Sequence, residues 1–288
     1  MIKQGKNIIE NVCKNINNLG VVKMKIIKID LSRQLMGIEL HVFADEHIGD
    51  EHCDMERLFE RIEYVKNTPS AYCILNGDII DNATKTSIGD TYTQVFSPME
   101  QLRVAVETFE PIKEKILCIT HGNHENRTYK KEGINLSYLL ASQLGLSDKY
   151  TSTSALLFVR FGEESRGRKE SNGSGNVRKV CYTIYTLHGS GGGRKEGAKA
   201  IRLADMASII DCDIYIHSHT HLPMIMKQGF FRVDFSNSSA AMVDKLFVNT
   251  AANLKYGGYG EAGEFKPSSM ETPVIYLDGR VKRAKVKL

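Results

Sequence analysis

Apolar residues in this chain gather into short runs, and several of those runs end abruptly on a carboxylate, amide or imidazole. Residues 24–31, 37–44, 71–75 and 115–120 read as strands, being apolar, rich in β-branched side chains and closed by polar or glycine positions. Residues 55–66 set Leu58, Ile62 and Val65 at helical spacing. Ser97 followed by Pro98 marks a helix start, predicting a helix over 98–115, and 135–144 carries a helical pattern. Residues 155–161 and 180–187 read as strands joined by 162–179, a Gly-, Ser-, Arg- and Lys-rich stretch expected to form a mobile basic hairpin loop. A helix over 199–210, a strand over 213–216, and hairpins of 224–226 with 230–235 and of 273–277 with 280–286 complete the pattern. Residues 1–23 form a separate N-terminal segment with an amphipathic helix over 7–19, and residues 24–288 the domain proper. No internal repeat of useful length is present.

Strands alternate with helices for most of the length and dominate its end. That order predicts an α/β sandwich with sheets inside and helices outside. Ligand sites in such folds lie at the carboxyl ends of strands, where the polar clusters fall.

Composition narrows the class. The 288 residues are 42% hydrophobic and 25% charged, which excludes global disorder. A formal charge of +4 suits a polyanionic substrate without requiring one. No run approaches the roughly 18 apolar residues of a membrane span, and Asn, Glu and Lys interrupt any N-terminal signal. Six cysteines without a C-x-x-C spacing read as reduced thiols, and the expected compartment is cytoplasmic.

The polar clusters are Asp45-Glu46-His47, Gly77-Asp78-Ile79-Ile80-Asp81, Gly122-Asn123-His124-Glu125, His188 and His219-Thr220-His221. Oxygen and imidazole ligands without thiolate suit a pair of hard-to-borderline divalent cations, and such pairs hydrolyse phosphoesters. Residues i and i+2 of an extended segment face one side, so Asp45 with His47, and His219 with His221, would point together. Each motif is weak by itself. A Gly-Asp after a strand is a common turn, Asp81 would equally serve as a cap, and a lone histidine at a strand end is ordinarily structural. The glycine run after His188 lets backbone amides approach a phosphate but lacks the Lys-Ser/Thr of a P-loop. His41 and His217 read as structural; His52 and His121 lie near the clusters in sequence.

In order and chemistry the clusters resemble the calcineurin-like metallophosphoesterase superfamily, whose pattern reads D-x-H, G-D-x-x-D, G-N-H-[DE], H, G-H-x-H. The resemblance spans about residues 38–222 and fills every ligand position. It implies a four-layer αββα sandwich with mixed sheets and two divalent metal ions, Mn, Fe or Zn, with Mn favoured. One metal would take Asp45, His47, Asp78 and His221; the other Asp78, Asn123, His188 and His219. A shared hydroxide would attack phosphorus in line, His124 would assist the leaving group, and Asp81 would set the tautomer of His124.

Two departures stand out. Ser218 replaces the usual glycine, and Asn82-Ala83 replaces the Arg-Gly with which the superfamily's protein phosphatases grip phosphate. Arg127 and Arg194 are the candidate replacements, each equally readable as a solvated surface charge. The implied substrate is a phosphomonoester or phosphodiester, nucleotides included. A DNA-processing nuclease is the alternative, favoured by basic stretches at 23–28, 166–169 and 282–287, and it leaves nucleic acid open as a partner. A non-catalytic scaffold is a third reading. Sequence flanking the motifs resembles phage- or prophage-associated members. Oligomeric state is not legible.

Overall fold

A computed structural model describes residues 24–32, 34–85, 87, 91–161, 180–191 and 193–288. The helix expected over 7–19 and the loop expected over 162–179 lie outside the described residues.

Among the described residues twelve strands form two mixed six-stranded sheets. The first runs β1 (Lys25–Leu31), β6 (Ser154–Phe161), β7 (Val180–Leu187), β8 (Ile214–His217), β10 (Ser239–Asn249), β9 (Met224–Asp234). The second runs β12 (Ala284–Lys287), β11 (Val274–Asp278), β2 (Gly37–Phe43), β3 (Ala71–Asn76), β4 (Ile116–Thr120), β5 (Tyr150–Thr151).

Side-chain alternation along the strands decides the layers. Ile214 and Ile216 of β8 face a core shared with Leu40 and Val42 of β2, whereas Tyr215 faces the opposite way. Likewise Ile74 of β3 enters the inter-sheet core, while Cys73 and Leu75 meet helices. Those helices are α1 (Met55–Asn67), α2 (Pro98–Phe109) and, beyond α3 (Glu125–Glu132), α4 (Leu136–Gln143). On the outer face of the first sheet, Leu203 and Met206 of α5 (Glu196–Ile209) pack on Tyr185, Tyr215 and Phe247. The result is helix, sheet, sheet, helix. Each fully buried Leu or Ile in these layers contributes about 1.5–3 kcal/mol.

The predicted helix over 98–115 breaks at Phe109 and continues as a 3₁₀ turn, Glu110–Lys115. Pro111 lacks the N–H needed for an α-helical bond, and its ring collides with the preceding turn. Helix α3 went unpredicted because Glu-Asn-Arg-Thr-Tyr-Lys-Lys-Glu carries no apolar stripe. The hairpin expected within 224–235 is instead one strand, β9, paired antiparallel with β10. Gly229 sits inside that strand opposite Asp244, and the turn falls at Phe235–Ser238, where Asp234 accepts two backbone N–H groups. Cys53, Cys73, Cys118, Cys181 and Cys212 are free thiols. Among the described residues no helix is long and apolar enough to cross a membrane.

Strands β2, β3 and β4 run parallel in one sheet, as β7 and β8 do in the other. Their carboxyl ends therefore meet at one edge of the sandwich, and all five polar clusters follow them.

Candidate metal centre

The turn that follows β2 begins at Asp45, and it is not extended. Asp45, His47, Asp78, His219 and His221 all have φ between 50° and 64°. The expectation that i and i+2 positions converge by strand parity is thus corrected: left-handed backbone aims these side chains. Such a conformation costs roughly 1–2 kcal/mol for each non-glycine residue, a strain that clusters at functional sites. Backbone bonds hold it in place, from Asp45 N–H to the Gly77 carbonyl at 3.1 Å and from His47 N–H to the Asp78 carbonyl at 3.1 Å.

Close approach demands glycine at two of these turns. A Cβ on Gly122 would lie 2.1 Å from the Asp78 nitrogen, and one on Gly77 would lie 2.8 Å from the His188 ring. The space is used by Glu125, whose buried carboxylate accepts the backbone N–H groups of Asp78 (3.1 Å), Ile79 (2.8 Å) and Ile80 (3.2 Å). Burial and the neighbouring Asp78 charge raise Glu125 to about 7.

Asp45, His47 and His221 form one group whose ligand atoms lie within 4.8 Å of one another, and Asp78, His188 and His219 form a second. In the first, Asp45 Oδ1 is 3.2 Å from His221 Nε2. His47 Nδ1 meets Asp81 Oδ1 at 3.1 Å, while its Nε2 is buried with no hydrogen-bond partner among the described residues. In the second, His188 Nε2 is 3.1 Å from Asp78 Oδ2 and 3.0 Å from Asn123 Oδ1. His188 Nδ1 donates to the Asn76 carbonyl at 2.7 Å, a bond that turns Nε2 toward the carboxylate. Asp45 Oδ1 lies 3.9 Å from His188 Nε2, so the two groups adjoin.

Charge in this packed array is far from its solution balance. Burial resists ionisation of Asp78, yet His188 and His124 hold it well below the ordinary carboxylate range. Against burial, Asp78 and Asp45 raise His188 to about 10. Burial, aided by the His188 charge, lowers His219 to about 4. Nitrogen and oxygen donors without thiolate, withdrawn from water and including an orphaned imidazole nitrogen, fit a pair of divalent cations.

His124 lies beside the first group, with its ring centroid 4.3 Å from that of His47. Its Nδ1 is 2.7 Å from the Asp81 carbonyl and 3.0 Å from Asp81 Oδ1. Burial opposes protonation of His124, but Asp78 and Asp81 raise its affinity for a proton. Arg127 Nη2 donates to His124 Nε2 at 2.9 Å, and Nη1 to the Asp81 carbonyl at 3.1 Å. Arg127 is therefore brought to the site. Arg194 is not: it is exposed, 3.9 Å from Glu264 and 5.3 Å above the Phe265 ring.

A cavity of about 650 Å³ opens over the array. His47, Asp81, His124, Arg127, His219 and His221 form its polar floor, and Lys199, Tyr256, Phe265 and Lys266 belong to its walls. His52 also lines it, whereas His121 bonds Ser137 and His41 contacts Glu39 and Tyr64 away from the site. His217 is structural, with Nδ1 bonded to Asn249 Oδ1 at 2.8 Å.

Sequence reasoning gave no role to Asn76. Its Nδ2 donates to the Leu187 carbonyl and to Ser218 Oγ, and its Oδ1 accepts from the Thr120 and Thr186 hydroxyls. A fully buried asparagine thus ties β3 to β4 and to both ligand loops of the other sheet. The signal was a polar residue closing an apolar strand, which reads equally as a simple breaker. Ser218 is part of this network. Asn82 is buried too, donating to the His124 carbonyl at 2.7 Å and accepting from Thr128.

The calcineurin-like phosphoesterase family model matches residues 46–223, more than half of the chain. The chain belongs to that family. No curated protein matches it. Similar solved structures include a predicted phosphoesterase of Streptococcus pneumoniae TIGR4, 13% identical, with 88% of this chain and 90% of that one covered and a TM-score of 0.36. Vacuolar protein sorting 29 of Cryptosporidium parvum is 14% identical over 88% of this chain and 97% of its own, with a TM-score of 0.39. A metallophosphoesterase of Sphaerobacter thermophilus is 11% identical over 86% and 87%, with a TM-score of 0.39. The phage or prophage association finds no support.

Proposed function

We propose that the protein hydrolyses a phosphomonoester or phosphodiester with the help of two divalent cations, Mn²⁺ before Fe or Zn²⁺. The observation that carries this reading is the pair of adjoining His/Asp groups, with a buried His47 Nε2 that has no hydrogen-bond partner among the described residues. Asp45, His47, Asp78 and His221 would hold one cation; Asp78, Asn123, His188 and His219 the other. When bound, such a pair supplies Lewis acidity toward phosphoryl oxygens and a water of lowered pKa.

The remaining work falls to side chains of the floor. Asp81 fixes Nδ1 of His124, which leaves Nε2 to give a proton to the departing oxygen as the P–O bond breaks. Arg127, now turned onto His124, is the guanidinium close enough to move onto phosphoryl oxygens in a charge-assisted, forked contact. The phosphatase arginine has no counterpart at Asn82, whose side chain is committed to the His124 loop.

Of the basic stretches that favoured a nuclease, 166–169 lies outside the described residues, and the described residues of the other two are not among those that line the cavity. Lys25 and Lys28 lie on edge strand β1, Lys285 and Lys287 on edge strand β12. A scaffold reading asks for lost ligands, whereas every ligand position and His124 are filled.

The test is turnover of p-nitrophenyl phosphate, bis-p-nitrophenyl phosphate, cyclic nucleotides and single- and double-stranded DNA with Mn²⁺ present. Hydrolysis should require the metal and fall about 100-fold or more in His124→Ala. A folded, metal-loaded preparation inert toward the whole panel refutes the proposal.

A further inference from the structure

The cavity is much larger than a phosphoryl group requires. Its volume of about 650 Å³ lies within the roughly 300–1,000 Å³ of pockets that enclose whole small molecules. Part of its lining comes from the segment after β10. There Tyr256, half-exposed, and Phe265 are joined by a bond from the Tyr256 hydroxyl to the Phe265 carbonyl at 3.0 Å. Lys199 and Lys266 line the same cavity.

This aromatic wall is anchored on two sides. Lys266 pairs with Glu196 of α5 at 2.6 Å, and Ser268 Oγ donates to the His221 carbonyl at 2.6 Å. The second bond links the segment directly to the loop that carries His219 and His221. Aromatic side chains and a lysine lining the same cavity as a His/Asp array suit a ligand held by base stacking and by charge on its phosphate.

We propose that the cavity selects phosphoesters bearing a nucleobase, which stacks on Tyr256 while the Lys199 ammonium, bonded to the Thr220 carbonyl at 2.8 Å, offsets phosphate charge. The inference rests on the phosphoesterase reading for its chemistry but not for its binding, so the two fail separately.

The experiment uses the full chain with Mn²⁺ and matched pairs of substrates: thymidine 5′-monophosphate p-nitrophenyl ester against bis-p-nitrophenyl phosphate, and thymidine 5′-monophosphate against phenyl phosphate. The base-bearing member should lead in kcat/KM by about tenfold or more, and Tyr256→Ala should cut that ratio about tenfold. Tyr256→Phe, which keeps the ring and loses only the hydroxyl, should retain the preference. Calorimetric binding of thymidine 5′-monophosphate against inorganic phosphate gives a readout free of turnover. Tyr256-dependent nucleotide binding without hydrolysis upholds the subsite and sinks the hydrolase reading. Hydrolysis with a ratio near one, or a ratio indifferent to Tyr256→Ala, overturns the subsite alone. A single-stranded oligothymidine run beside the mononucleotide shows which source of the base is preferred; Tyr256 dependence with neither overturns the proposal.

Discussion

Glu125 grips Asp78 through its backbone: the glutamate carboxylate accepts the Asp78 N–H at 3.1 Å and the next two amides as well. The turn that sets Asp78 at φ 51° is thereby held from the neighbouring motif. Glu125→Ala leaves three buried amides unpaired, at about 1–3 kcal/mol each. We expect a loss of about 3 kcal/mol or more in denaturant unfolding of the metal-free protein and metal affinity weakened about 10–100-fold. Glu125→Gln, still able to accept, should lose markedly less of both. Equal losses in the two variants would show that the charge, not the accepted bonds, matters.

Asn76 closes a polar network inside the interior and should be intolerant of truncation. Asn76→Ala strands the Thr120, Thr186 and Ser218 hydroxyls and the Leu187 carbonyl, so about 2–4 kcal/mol of stability should vanish. The single variant Ser218→Gly, with the residue that the superfamily pattern carries there, removes one of these partners and should cost about 1 kcal/mol. Chemical denaturation of both variants measures the difference.

Metal uptake should expel a proton. Without metal, Asp78 and Asp45 hold His188 protonated to about pH 10, whereas a ligand imidazole must be neutral. Calorimetry in buffers of different ionisation enthalpy should show proton release near neutrality, and affinity should rise with pH toward 10. The sign for stability follows from linkage. With its folded value raised above 6.5, His188 stabilises the metal-free fold fully below about pH 6.5, and that contribution disappears as pH climbs through about 10. Bound metal should remove this dependence and raise the melting temperature.

The two candidate phosphate-binding arginines should separate cleanly. Arg127→Ala should lower kcat/KM on p-nitrophenyl phosphate about 10–100-fold, as expected for loss of a charged hydrogen-bond donor. Arg194→Ala, changing an exposed side chain outside the cavity, should alter it less than about twofold. A larger effect at Arg194 would place the phosphate elsewhere.

Much of this molecule could be read from the chain, because strand periodicity and motif order are local signals. The strands feeding Asp45, Asp78, Asn123, His188 and His219 were legible, and so was the layered α/β class. The geometry that joins them was not. Left-handed φ at His47 or His219 depends on bonds to loops far away in sequence, and parity along a strand predicts the wrong backbone there. Asn76 looked like a strand breaker since its five partners lie on β4, β7 and the two ligand loops. Helix α3 lacks any apolar stripe, so only its place behind the Gly122-Asn123 turn could have announced it.

Anomalous diffraction from crystals soaked in Mn²⁺ examines the binuclear cage itself. Two peaks are expected per chain, one contacting Asp45, His47 and His221 and one contacting Asn123, His188 and His219, with the Asp78 carboxylate between them. A single peak, peaks that avoid Asp78, or none in a well-folded crystal would contradict the account.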